Sequence, residues 1–175
     1  MSSKSSHQQV NQTSGQVEWY TPTDIIEASR EAMGVITLDP FSCPKANKSV
    51  KASAFFDEHD DGWTKDWYGS VFCNYPFGRK TNPLIADKCI SEHEKGNAKE
   101  ICLLSFASTS EGWFRKLLDY PQCFLHGRTN YIDGEGNKVT GSTKGSVVTY
   151  IGENVGSFYE SFKHLGTIKI PYGGE

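Results

Sequence analysis

Short apolar runs that alternate with helix-like segments constrain the fold of this chain more than any other feature of its sequence. The apolar runs, each closed by polar or turn-forming residues, are 35–38, 70–73, 100–106, 122–125, 146–151 and 167–170. Segments with helical character lie between most of them, at 22–33, 84–93, 111–118 and 158–164. Apolar strands that alternate with helices predict an α/β fold with a largely parallel sheet, because parallel neighbours need a crossover connection.

The length of the chain and its first residues predict one domain preceded by a tail. With 175 residues the chain has the usual size of a single domain. Residues 1–17 are mostly polar and contain no apolar stretch, so we expect a disordered tail there and one domain over 18–175. The stretch 41–70 is polar apart from an apolar patch at 54–56, and we expect it to be irregular.

Composition and charge exclude several classes of protein. The net charge is −3, unlike that of a strongly basic protein that binds any nucleic acid. No apolar run approaches the roughly 20 residues of a membrane span, and the first residues lack a secretory signal, so we expect a cytoplasmic protein. The five cysteines form no C-x-x-C pair, and no Cys/His group has zinc-ligand spacing. This predicts reduced thiols and no metal site.

Two predicted strands end in unusual groups of residues. The run 35–38 leads into Asp39-Pro40-Phe41, and the run 70–73 leads into Asn74-Tyr75-Pro76-Phe77. Ligands of parallel sheets bind at the carboxyl ends of strands, so the two groups share one cleft if the strands are neighbours.

The segment 74–77 suits a planar ring that carries an exocyclic amine. Pro76 fixes the backbone, and the turn then presents the Asn74 oxygen, the Tyr75 carbonyl and the Phe77 ring. Two acceptors beside an aromatic face would bind both amine protons and stack on the ring. The alternative is an ordinary strand-ending turn, in which Asn74 bonds its own backbone and Phe77 belongs to the core.

Four segments together resemble a known enzyme family. Residues 74–77 resemble the N-P-P-Y/F or D-P-P-Y motif of amino-methyltransferases, and residues 18–22 resemble the W-x-T-P opening of phage-type DNA N6-adenine methyltransferases (Dam-like). The segment 38–42 is similar to that family's first cofactor strand end, and 112–114 to its W-F segment. Two departures are Tyr75, where the family usually has Pro, and the lack of a Gly-rich loop after Asp39.

The resemblance implies a fold, a reaction and a set of residues. The fold is the Rossmann-like class I methyltransferase fold in a minimal single domain. The reaction is methyl transfer from S-adenosylmethionine to a flipped-out adenine of double-stranded DNA, without a metal, for phage DNA modification or restriction evasion. The catalytic residues are Asn74, Tyr75, Pro76 and Phe77. The cofactor-binding residues are Trp19, Thr21, Pro22, Asp39, Phe41 and Asp57.

Five of these cofactor residues also have a simpler explanation. Asp39 would bind the cofactor's ammonium group, or it forms a turn before Pro. Trp19 and Thr21-Pro22 would wall the methionine end, or they are a core Trp and a helix start with Thr21 as the N-cap. Asp57 would bind the ribose, or it belongs to a solvated acidic loop.

Four basic residues are candidates for contacts with DNA phosphates. They are Arg79, Lys80, Arg128 and Lys144; solvated surface charge is the alternative for each. The Gly-rich segment 129–145 is a candidate target-recognition loop, and an exposed hairpin is its alternative.

Two further hypotheses compete with adenine methylation. The same fold could act on cytosine N4 or on RNA. A catalytically silent nucleic-acid-binding module is the alternative from another class, with Tyr75 as the inactivating change. In a phage-encoded protein the location would be the host-cell cytoplasm.

Overall fold

The computed structural model describes residues 19–140 and 142–173. The predicted tail at 1–17 lies outside the described residues. Within them, one sheet carries helices on both faces. The elements in chain order are α1 Thr23–Met33, β1 Leu38–Asp39, α2 Pro44–Val50, β2 Ala54–Phe55, β3 Gly69–Asn74, α3 Asn82–Glu94, β4 Ala98–Phe106, α4 Gly112–Arg115, a 3-10 helix Lys116–Asp119, β5 Gln122–Leu125, β6 Ser146–Ile151, α5 Val155–Phe162 and β7 Gly166–Lys169.

The sheet is mixed rather than largely parallel. Its strand order is β2-β1-β3-β4-β6-β5-β7. The first four strands in this order are parallel, whereas β6 runs antiparallel to both β4 and β5, and β7 antiparallel to β5. The expectation of a largely parallel sheet is therefore wrong for half of the strand pairs. The described part of the link from β5 to β6 contains no helix, whereas parallel neighbours usually need a crossover helix.

The two faces of the sheet carry separate apolar clusters. Phe72 points to the face that α1 and α5 cover, where it packs with Ile25 and Phe158. Its neighbours Val71 and Cys73 point to the opposite face, beneath α3 and α4. This alternation follows from the two-residue period of a strand. Both faces are buried, which explains why the strands are almost continuously apolar in sequence.

Two helix predictions differ from the structure at the N-terminal half of the chain. The helix α1 begins at Thr23 with Pro22 as its N-cap and no side-chain cap bond, so the prediction of Thr21 as the cap is wrong. The helix α2 lies within the stretch expected to be irregular. The Cys43 thiol accepts a hydrogen bond from the Ala46 amide at its start, and Pro44 occupies the first turn. Cysteine is not among the usual capping residues, so this start was not evident from sequence.

Candidate active site

The strands β1 and β3 are parallel neighbours, with Leu38 opposite Val71. Asp39 and Asn74 are the last residues of these strands, so the two unusual groups lie at the same edge of the sheet. The condition for a shared cleft is thus fulfilled. The end of β2, at Phe55, joins the same edge because β2 pairs in parallel with β1. We call this the carboxyl edge.

The Asn74 side chain is held by a residue from the start of the described chain. Its Nδ2 donates a hydrogen bond of 2.8 Å to Thr21 Oγ1, across 53 residues of sequence. Asn74 is half-buried and Thr21 is buried. The amide therefore bonds a distant segment rather than its own turn, contrary to the strand-ending turn alternative.

Side-chain hydrogen bonds fix the backbone of the turn after Asn74. Tyr75 is buried, and its hydroxyl donates to Asn82 Oδ1 at 2.9 Å. The same oxygen accepts from the Gly78 amide at 3.1 Å. The Thr81 hydroxyl donates to the Pro76 carbonyl at 2.6 Å. These bonds restrain the turn at Tyr75, where the motif that it resembles has a proline in addition to the one at Pro76.

Phe77 lies half-buried in a group of aromatic rings. Its ring centroid is 4.8 Å from that of Tyr75, 4.6 Å from Phe106 and 6.0 Å from Tyr131. The ring packs against both apolar clusters, yet part of it remains accessible. Phe77 is therefore neither a fully buried core residue nor a free platform.

Asp39 is a buried carboxylate without a cationic partner in the described part of the chain. Burial raises its pKa to about 7, although the hydrogen bond from the Phe41 amide and the nearby Ser42 hydroxyl both lower it. The amide of Phe41 lies 3.3 Å from Asp39 Oδ1. Ser42 Oγ is itself buried and has no hydrogen bond of normal geometry within the described residues. Asp39 and Ser42 thus offer buried hydrogen-bond acceptors, and no cationic side chain of the described residues binds them.

An open cavity of about 250 Å³ lies beside these residues. Its lining comprises Ser42, Cys43, Pro44, Asp57, Glu58 and His59. Asp57 is half-buried, and its Oδ1 accepts from the His59 amide at 2.8 Å. The carboxylate thus takes part in an acidic turn and also borders the cavity, so the two sequence interpretations of Asp57 are compatible. A smaller cavity of about 180 Å³ lies at the far side of the sheet, lined by residues of β5, of the segment before it and of the end of β7, and shares none of these residues.

Aromatic rings pack together after β1 and before α1. The Phe41 ring lies 4.5 Å from Trp63 and 5.9 Å from Trp67, measured between centroids. Trp19 and Pro22 are half-buried, and the Trp19 ring meets that of Tyr131 edge-on at 5.9 Å. The segment before α1 is therefore held against the 129–145 loop.

The 129–145 loop is a hairpin with an anchored base. The Val139 amide bonds the Tyr131 carbonyl at 2.7 Å, and the backbone of Tyr20 pairs with that of Ile132. Tyr131 is buried, with its hydroxyl 3.5 Å from Ser146 Oγ. The tip is exposed. The hairpin alternative is thus correct for its shape, but its base belongs to the site.

The four basic candidates all leave the sheet at the carboxyl edge. Arg79 and Lys80 follow β3, Arg128 follows β5, and Lys144 precedes the antiparallel strand β6. All four are exposed. Lys144 Nζ lies 5.5 Å from the centroid of Phe106, the ring that packs on Phe77.

Four residues of this region were missed by the sequence interpretation: Ser42, Asn82, Phe106 and Tyr131. Ser42 lies in the segment 38–42 that resembles the family, so the sequence could have indicated it as a site residue. The other three are brought in by tertiary contacts and carry no local signal.

The comparisons with known proteins concern the sequence as a whole. Residues 8–165 match the family model described as DNA N-6-adenine-methyltransferase (Dam), which is most of the chain. No curated protein is similar enough to count as a match. Among the described residues, no group of three or more His, Cys, Asp or Glu side chains is arranged to hold a metal ion. No described helix has the length and apolarity to cross a membrane.

Proposed function

Because the chain belongs to the DNA N-6-adenine-methyltransferase (Dam) family, we propose that it transfers a methyl group from S-adenosylmethionine to N6 of adenine in double-stranded DNA. The observation that carries the proposal is the shared edge of β1 and β3. It joins a buried carboxylate, which has no cationic partner among the described residues, to a restrained turn with amide and carbonyl acceptors. We further propose that the fold is the Rossmann-like class I methyltransferase fold.

The side chains at the carboxyl edge fit this cofactor. Asp39 would hold the ammonium group, because a buried carboxylate without a partner gains most from a cation. The buried Ser42 hydroxyl and the Asp57 carboxylate would bond the ribose hydroxyls beside the cavity. Trp19, Pro22 and Phe41 would supply apolar walls. When bound, the cofactor would supply a methyl group on a sulfonium, which would pass to N6 as the sulfur–methyl bond breaks, and N6 would lose a proton to solvent.

The turn 74–77 would act on the adenine amine. The N6 lone pair is delocalised into the ring, so the amine is a weak nucleophile. The Asn74 oxygen and the Tyr75 carbonyl would accept its two protons and draw the lone pair out of conjugation. Pro76 removes a competing backbone donor from the turn. The accessible part of the Phe77 ring would stack on the base.

The target base has to leave the duplex to reach this edge. Arg79, Lys80, Arg128 and Lys144 would bind phosphates around the extruded nucleotide, since all four are exposed at the same edge. The exposed tip of the 129–145 hairpin would contact bases. The biological role we propose is the modification of phage DNA, which protects it from restriction.

The test uses cells that lack adenine methylation. Expression of the chain should introduce N6-methyladenine into their DNA, detected by mass spectrometry of digested nucleosides and by sequencing of modified bases. Expression of the Asn74→Ala variant at the same level is the control and should leave the DNA unmodified. N4-methylcytosine instead would assign the target to cytosine. DNA without either base, from a protein that still binds DNA, would favour the silent module.

A further inference from the structure

Thr21 stands at the start of the described domain, and its hydroxyl lies against the Asn74 amide. The residue is buried, and its Oγ1 is 2.8 Å from Asn74 Nδ2. The helix that follows makes no side-chain cap bond at its N-cap, Pro22. The hydroxyl is therefore directed to the catalytic turn instead of to the helix.

The two ends of the Asn74 amide are placed differently, because its nitrogen donates to the Thr21 hydroxyl. Within the described residues, no hydrogen bond is formed to Asn74 Oδ1, and this oxygen is not among the buried atoms left without a partner. It is therefore not fully buried, and a ligand can reach it. An amide is asymmetric: one end accepts hydrogen bonds and the other donates them. Only the acceptor end suits an amine substrate.

We propose that Thr21 is a positioning residue: it binds the nitrogen end of the Asn74 amide, so that the oxygen end is left to meet the base amine. This inference rests on the proposed function of the same site. In this proposal Thr21 contacts Asn74, and not the cofactor as the resemblance implied. An amide turned by 180° presents its own N–H groups to those of the substrate, and the two would repel.

The test compares Thr21→Val, which keeps the shape and removes the hydroxyl, with Thr21→Ser, which keeps the hydroxyl. Single-turnover methylation of unmethylated plasmid DNA at saturating S-adenosylmethionine should fall about tenfold or more in Thr21→Val. It should stay within about twofold of wild type in Thr21→Ser. The affinity for S-adenosylmethionine, measured by calorimetry, should stay within about twofold in both. Weaker cofactor binding with an unchanged saturated rate would overturn the proposal in favour of a cofactor contact.

A second background separates orientation from general damage to the fold. In Asn74→Asp both oxygens accept hydrogen bonds, so either orientation of the carboxylate serves the amine. Thr21→Val should therefore reduce the rate by less than about threefold in the Asn74→Asp enzyme. Equal losses in the wild-type and Asn74→Asp backgrounds would show that Thr21 acts only through stability.

A readout without turnover distinguishes failure of this inference from failure of the proposed function. The Asn74 side-chain NH2 signals, identified by their loss in Asn74→Asp, should exchange slowly with solvent in wild type and Thr21→Ser. Their exchange should be faster in Thr21→Val. Unchanged exchange in Thr21→Val would refute the contact itself. A wild-type protein with these protected signals but no methyl transfer would refute the proposed function and leave the Thr21 contact intact.

Discussion

The buried carboxylate of Asp39 leads to a prediction in which one substitution stabilises the free protein and weakens cofactor binding. Burial raises its folded-state pKa to about 7 from an ordinary value of 3.8. Between pH 3.8 and about 7 the Asp39 carboxyl is therefore mostly protonated in the native state and mostly ionised in the unfolded state. The contribution of Asp39 to stability therefore falls as pH rises from about 4 to about 7, and no further above that.

The magnitude follows from the size of this shift. Each pKa unit corresponds to about 1.36 kcal/mol, so the ionised Asp39 costs at most about 4 kcal/mol of unfolding free energy above pH 7. Asp39→Asn removes the charge and retains an oxygen for the Phe41 amide. The NH2 group of the new asparagine can donate to the buried Ser42 hydroxyl. The variant should gain up to about 4 kcal/mol at pH 8 and only about 1 kcal/mol at pH 4.5.

The assay is urea denaturation of the wild type and Asp39→Asn at both pH values, with calorimetric titration of S-adenosylmethionine. The exposed carboxylate of Asp119 provides a control, Asp119→Asn, which should change neither quantity. Cofactor affinity of Asp39→Asn should fall by a factor equivalent to about 2–5 kcal/mol, because the ammonium loses its charged partner. A variant that is destabilised at pH 8, or that gains the same amount at both pH values, would refute the argument from burial.

Three other predictions concern the turn, the aromatic rings and the basic rim. Tyr75→Phe removes the hydrogen bond to Asn82; thermal unfolding should show a loss of about 1 kcal/mol, and methylation should slow, whereas full activity would show that the bond does not restrain the turn. Phe77→Ala should lose less than the roughly 3–5 kcal/mol of a fully buried Phe, and placing the target adenine in a mismatch should recover part of its methylation, since a mismatched base unstacks more easily; a larger loss of stability without loss of activity per folded molecule would return Phe77 to the core. Lys144→Gln should weaken DNA binding equally for all sequences and reduce the slope of log affinity against log salt by about one; an unchanged slope in a filter-binding titration would remove Lys144 from the phosphate contacts.

The sequence predicted the parts of this site that depend on local pattern. Strand-like runs that lead into Asp39 and Asn74 were evident, and the structure shows that the strands β1 and β3 are neighbours. The direction of β6 was not evident, because an apolar run has the same pattern in either direction and the link before it resembles any Gly-rich loop. The helix α2 was missed because its cap is a thiol.

The contacts that organise the site join residues far apart in sequence. The bond between Thr21 and Asn74 spans 53 residues, and the pattern around Thr21 favoured a helix cap for the same hydroxyl. Ring contacts of Phe77 with Phe106 and Tyr131 likewise depend on how loops meet at the sheet edge. Such partners follow from tertiary packing, so sequence indicated which residues matter but not how each one is held.

The most direct test of the account follows the methyl group itself. Purified protein is incubated with S-adenosylmethionine carrying a deuterated methyl group and with unmethylated double-stranded DNA, and the digested nucleosides are analysed by mass spectrometry. We expect the label on N6 of adenine in the wild type, and a rate at least about 10²-fold lower in Asn74→Ala at unchanged cofactor affinity. Label on cytosine, no label at all, or equal rates in the two proteins would contradict the assignment of this edge of the sheet as an adenine-N6 methyltransferase site.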